Sequence, residues 1–160
     1  MTLQLVLLGL LLGAQLAEGT ARAEAPKVKL VAEVRDDSLL VGGQHVARLV
    51  PAKVLHEGQE VYYTVRILNP GTTPLRNVEV VQRIPQNTTY VPRSASGPGA
   101  EVSLSADGGV TFGREGQLTV KESTQTRPAT EQDYTHIRWR LRNPLAPGDV
   151  ALARFRARFH

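Results

Sequence analysis

Arginines are the residues of this chain whose spacing could do chemistry. Arg138, Arg140 and Arg142 alternate with Ile137, Trp139 and Leu141, and Arg154, Arg156 and Arg158 alternate with Phe155, Ala157 and Phe159. Successive side chains point to opposite faces of a strand, so each triplet lines one face. If Tyr134–Arg142 and Val150–Phe159 pair as a hairpin with the apolar residues inward, all six guanidiniums share the outer face. Each guanidinium can grip a carboxylate or phosphate through two parallel hydrogen bonds. Such a face would dock a polyanion: acidic polysaccharide, lipid headgroups, nucleic acid or an acidic protein. Charges that close repel unless answered, and Glu79 is the one acid that the pattern places outward on a neighbouring strand. The plainer alternative is a solvated basic face that protects a sheet edge. Trp139, Phe155 and Phe159 point away from the arginines, so the face lacks the stacking platforms that single-stranded nucleic acid uses.

Other chemistry is sparse. There is no cysteine, which excludes thiolate zinc sites, iron–sulfur clusters, a Cys nucleophile and disulfides. His45, His56, His136 and His160 fall in four separate segments without metal-site spacing; a His45/His56 pair meeting across a hairpin beside Glu57 is the only transition-metal arrangement they suggest. No Gly-x-Ser-x-Gly, Ser-x-x-Lys or phosphate-cradling Gly-rich loop occurs. Ser94-Ala95-Ser96-Gly97 reads as a loop. Asp36-Asp37 and Asp107 read as turn residues before calcium ligands. Two carboxylates could converge for glycoside hydrolysis, but none sits in a signature context. Asn87-Thr88-Thr89 is a formal glycosylation sequon. The expectation is therefore a protein without catalysis, cofactor or metal.

Compartment comes from the other end of the chain. Leu5–Leu16 (LVLLGLLLGAQL) is apolar but too short to span a bilayer comfortably. Ala21-Arg22-Ala23 then matches the small-x-small pattern read by signal peptidase, although Met1–Gln4 carries no Lys or Arg. Residues 1–23 are expected to be a signal peptide. The remainder suits one domain able to bury a core without metal or disulfide, and it has no second long apolar segment. The expected product is exported, periplasmic or extracellular, with no membrane span after cleavage. Formal net charge is +4, with fifteen arginines against four lysines.

The elements that must position the arginines have a period of two. Val28, Leu30, Ala32 and Val34 alternate in Lys27–Val34; Ser38–Val41 and His45–Val50 flank Gly42-Gly43. Val61, Tyr63, Val65 and Ile67 alternate with Tyr62, Thr64 and Arg66, and Asn69-Pro70-Gly71 breaks that strand. Val78, Val80 and Ile84 repeat the pattern up to Pro85. Glu101–Ser105 and Val110–Phe112 flank Ala106-Asp107-Gly108-Gly109, a hairpin signal. Gln117–Glu122 is a strand, Ser123–Asp133 a polar loop, and Asn143–Asp149 joins the last pair. Eight to ten short strands with frequent turns predict an all-β, antiparallel β-sandwich, with Trp139, Tyr63, Val65, Ile67, Val78 and Val80 in its core.

The run from Gly58 to Gly97 resembles the conserved-repeat family of bacterial exported and cell-surface proteins (domain of unknown function eleven). Gly58, Val61, Tyr63 and Thr64 match its first strand, and Asn69, Gly71, Thr72 and Thr73 its turn. Val78, Val80, Ile84 and Pro85 match its Val-rich strand ending in Ile-Pro, and Tyr90 and Val91 its aromatic-Val pair. Trp139-Arg140-Leu141 and Leu145-Ala146-Pro147-Gly148-Asp149 match its closing half. Gln82 stands where an acid is usual, and the chain holds one copy of a unit that often occurs in tandem. The resemblance covers roughly Val50–Phe159. It implies an immunoglobulin-like domain over 50–160, with 24–49 as an N-terminal extension of strands. It implies residence in the cell envelope or outside the cell, and no particular activity.

Three functions are expected on these grounds. The first is a non-catalytic exported immunoglobulin-like module with a structural or binding role, its partner an envelope protein or anionic polymer. The second is a polyanion-binding protein acting through Arg138, Arg140, Arg142, Arg154, Arg156 and Arg158. The third is a carboxylate-based hydrolase. Free sheet edges additionally offer a route to self-assembly.

Overall fold

Alternating apolar residues have one consequence above others here: strands, each wet on one face and dry on the other. The computed structural model describes residues 24–160, so the signal-peptide reading of residues 1–23 lies outside it. The described residues form ten strands and no helix. They are β1 (Lys27–Val41), β2 (Gln44–Pro51), β3 (Glu60–Leu68), β4 (Glu79–Arg83) and β5 (Thr88–Tyr90). They continue with β6 (Ala100–Ser105), β7 (Thr119–Glu122), β8 (Gln125–Pro128), β9 (His136–Leu141) and β10 (Val150–Phe159). All pairings are antiparallel: a five-stranded sheet ordered β2-β1-β3-β10-β5, a three-stranded sheet ordered β4-β9-β6, and a β7-β8 hairpin.

One core joins the two larger sheets. β3 contributes Val61, Tyr63, Val65 and Ile67, β4 Val80, β9 Ile137 and Trp139, and β10 Ala153, Phe155 and Ala157, all buried. Each large apolar side chain taken from water adds about 1.5–3 kcal/mol before the cost of ordering it. The six core residues expected from sequence are all buried. Tyr63 stacks on Phe155 at 4.8 Å between centroids. Ala153 and Ala157, on either side of Phe155 on the same face of β10, keep that face low enough for the larger rings.

The N-terminal strands are integral to the larger sheet. β1 pairs with β3 from Lys27↔Leu68 to Val34↔Val61, and with β2 through a tight turn at Gly42-Gly43. Both glycines have positive φ, 58° and 81°, the conformation a two-residue hairpin with strand-matched twist needs.

Two expected loops and strands exchange places. Val110–Phe112 is not a strand. The Asp107 carboxylate instead collects Thr111 N–H at 2.9 Å, Thr111 Oγ1–H at 2.6 Å, Ser105 Oγ–H at 2.7 Å and Val110 N–H at 3.1 Å. The backbone wraps that carboxylate and returns to β6 only at the Leu104↔Gly113 bridge. Conversely, Gln125–Pro128, inside the stretch expected to loop out, is strand β8. Its Arg127 bridges Glu122 at 2.7 Å and Asp133 at 2.7 Å, so a polar sequence is held extended by ion pairs that composition does not reveal.

Candidate functional site

The hairpin that would unite six arginines does not form. β9 belongs to the three-stranded sheet and β10 to the five-stranded one. The connection between them is anchored by Leu145, which bridges Leu75, and by the buried Asn69, whose Nδ2 donates to Leu145 O at 2.9 Å and Thr73 O at 2.8 Å. These anchors carry the chain from one layer to the other. The inward assignment of Trp139 and Phe155 holds, and their rings meet across the core at 6.1 Å. Because each triplet points away from the core, they lie on opposite outer faces of the molecule. The shared face expected from sequence is corrected to two separate faces.

On the three-stranded sheet the arginines are answered. Arg140 Nη2 lies 3.0 Å from Glu79 Oε2, and Arg138 Nη1 3.8 Å from Glu79 Oε1. Arg138 also donates from Nε to Ser103 Oγ at 3.0 Å and lies over the Phe112 ring at 4.3 Å. Glu101 faces Arg140 in register from β6. Glu79 thus takes the outward place expected of it. Arg142 lies beyond the end of β9, tied by its backbone N–H to Gly99 O at 2.8 Å.

On the five-stranded sheet the balance is different. Its outer face carries Lys27 and Lys29 from β1, Arg66 from β3, and Arg154, Arg156 and Arg158 from β10, against Glu33 and Glu60. Glu60 is taken by Arg156 Nη1 at 2.6 Å, which holds that guanidinium above its usual pKa; Arg156 also lies 5.9 Å from the Tyr62 ring centroid. Arg158 faces Glu60 in register but makes no ion pair with it. These two acids stand at one end of the face, while Glu24, just ahead of β1, lies 3.9 Å from Lys27 Nζ. At the other end Lys29 is directly opposite Arg66, while Arg154, opposite Thr64, is diagonal to Arg66. Lys29, Arg66 and Arg154 make no ion pair among the described residues. Directly opposed like charges cost stability in a sheet, and an ammonium facing one guanidinium with a second on the diagonal has the chemistry to meet a group with several anionic oxygens.

The same band runs into a groove. Arg158 forms part of the wall of an open cavity of about 670 Å³ where β5, the end of β10 and the loop around Glu131 meet. Its base is fixed by backbone bonds from Gly58 N to Phe159 O at 2.8 Å and from His160 N to Asn87 O at 3.0 Å. Buried Tyr90 lies beneath, donating to Glu115 Oε2 at 3.1 Å; burial pushes its phenol up to about 12.

The outward place of Arg154, Arg156 and Arg158 follows from their spacing, and the structure sets Lys29 and Arg66 on the same face. Their alternation with Val28, Leu30, Val65 and Ile67 was visible; which strands would neighbour β10 was not. The histidine pair does not assemble across a hairpin. His45 faces Leu40 within β1-β2 and its Nδ1 is 2.8 Å from Asp37 O, whereas His56 lies beyond β2. No cluster of three or more His, Asp or Glu arranged to hold a metal ion occurs among the described residues. Asp107 and Asp133 both have carboxyls held well below the usual range, the first by Thr111, the second chiefly by Arg127. Each sits at the base of a turn, where it organises backbone. Compared with protein-family models and with curated proteins, the chain matches none.

Proposed function

We propose that this protein is an exported, non-catalytic binding module of immunoglobulin-like type that docks an anionic polymer on the outer face of its five-stranded sheet. The observation that carries the reading is the Lys29–Arg66 juxtaposition with Arg154 diagonal to it and no acid within the cluster. A merely solvated face would be expected to interleave charges, as Glu79 does between Arg138 and Arg140 on the opposite sheet. A polymer can answer several cations at once and gains from release of its own counterions, so its attachment should weaken steeply with salt. Two antiparallel layers around a buried tryptophan support the immunoglobulin-like reading. Ala21-Arg22-Ala23 after an apolar run supports export.

Heparin chromatography tests the proposal. Lys29→Ser/Arg66→Ser/Arg154→Ser should elute at clearly lower salt than the unaltered protein. Arg138→Ser/Arg140→Ser/Arg142→Ser removes the same formal charge from the other face and should elute close to it. Equal behaviour of the two triple variants would remove the face from consideration.

A further inference from the structure

We infer that the polymer is an acidic polysaccharide, and that the groove at the end of β10 receives one of its sugar units; this rests on the docking face proposed above. Arg158 belongs both to that face and to the groove wall, so a chain running from Arg154 along β10, past the Arg156–Glu60 pair, reaches the cavity. There the chemistry changes. Beside Arg158 stand Glu57, Glu131, Gln132, Thr89 and the partly buried ring of Phe159. Neither acid, nor Arg158, is engaged in an ion pair among the described residues.

Two free carboxylates next to a free guanidinium discriminate among polyanions. Glu57 and Glu131 repel the charge that either polymer brings with every unit, but a nucleic-acid unit has at most one hydroxyl to offer them in return. An acidic sugar brings a carboxylate for Arg158 and hydroxyls that donate to Glu57 and Glu131. It also brings a face of C–H groups that can lie on Phe159. Gln132 and Thr89 can donate to ring and hydroxyl oxygens. The cavity, at about 670 Å³, falls in the usual range for small-molecule sites, roughly 300–1,000 Å³. That leaves room for a sugar unit and its neighbours.

Titration calorimetry of the mature chain with tetragalacturonate and with a single-stranded oligonucleotide of matched charge tests this. The unaltered protein should favour the sugar by about tenfold, the effect of a few well-placed hydrogen bonds. Glu57→Ala/Glu131→Ala should lose that preference by weakening the sugar and strengthening the oligonucleotide, with heparin retention kept or increased. Retention on heparin combined with equal or tighter oligonucleotide binding would overturn the polysaccharide assignment and leave the docking face standing. So would a preference unchanged in the double variant. If the unaltered protein is not held by heparin and binds neither probe, the docking face itself fails, and this inference with it.

Discussion

The Trp139 and Phe155 rings come from different sheets and meet 6.1 Å apart in the middle of the core. Each sits between two arginines on its own strand, so this contact turns the two basic triplets away from each other. The indole N–H donates to Ser96 O at 3.0 Å, which ties the loop before β6 to the same point. Two sheets, one loop and both basic faces are thus oriented by a single pair of rings.

Replacing that indole should be severe. Trp139→Ala is expected to cost about 3–5 kcal/mol by loss of buried area and creation of a cavity. Trp139→Phe should cost less, but should still forfeit the bond to Ser96. Gly97→Ala should also destabilise, because a Cβ there would meet Trp139 Cδ1 at 3.1 Å and Ala100 Cβ at 3.2 Å. Urea titration followed by tryptophan fluorescence for Gly97→Ala, and by circular dichroism for the others, measures each. A loss under about 1 kcal/mol for Trp139→Ala would contradict this packing.

Asn69 is the polar counterpart of that ring pair. It is fully buried, accepts from Gly71 N at 3.0 Å and donates to Thr73 O and Leu145 O. Asn69→Asp keeps the shape but cannot donate to two carbonyls when ionised, and it buries a charge. It is expected to be worse than Asn69→Ala, which leaves partners unsatisfied at about 1–3 kcal/mol. Thermal melts at neutral pH rank the two, and the reverse order would show that Asn69 fills space more than it bonds.

Lys29→Glu should stabilise the protein and damage its binding together. Opposite charges facing across paired strands are worth roughly 0.2–1 kcal/mol relative to neutral pairs, and like charges there destabilise. A melting temperature that rises while heparin elution shifts to lower salt is the expected outcome. A fall in stability would mean that the Lys29–Arg66 repulsion is already relieved in solution.

Acid and alkali should act through different residues. The carboxyls of Asp107 and Asp133 are held well below the usual range. The unfolded chain therefore binds protons more readily than the folded one. Stability from them is complete above the ordinary carboxylate value of about 4 and drains away as pH falls below it. Asp133→Asn should lose stability at neutral pH and show a shallower acid decline.

Tyr90 has the opposite sign, since its folded value is raised to about 12. Its contribution is complete below the ordinary phenol value of about 10 and is lost as pH rises through the folded one. Tyr90→Phe should flatten that alkaline limb. Melting temperature against pH for the unaltered protein, Asp133→Asn and Tyr90→Phe checks both limbs, and parallel curves throughout would discard the assignment.

Much of this architecture could be read from residue order, because burial writes itself into alternation. Val61, Tyr63, Val65 and Ile67 face inward, as their spacing requires, and Gly42-Gly43 turns the chain between β1 and β2 as its backbone freedom allows. The outward direction of all three β10 arginines follows from Phe155 and Ala157 in the same way. Period two says which face a residue occupies, and it is silent about which strand lies alongside. That silence is why Ser123–Asp133 reads as a loop, although Arg127 ties it to Glu122 and Asp133. It is also why spacing alone puts six arginines on one surface. Only the tertiary structure sends the chain from β9 across to the opposite sheet. Only there does Lys29 come to face Arg66 across strands thirty-odd residues apart, because pairing between distant strands depends on the whole core closing rather than on local spacing.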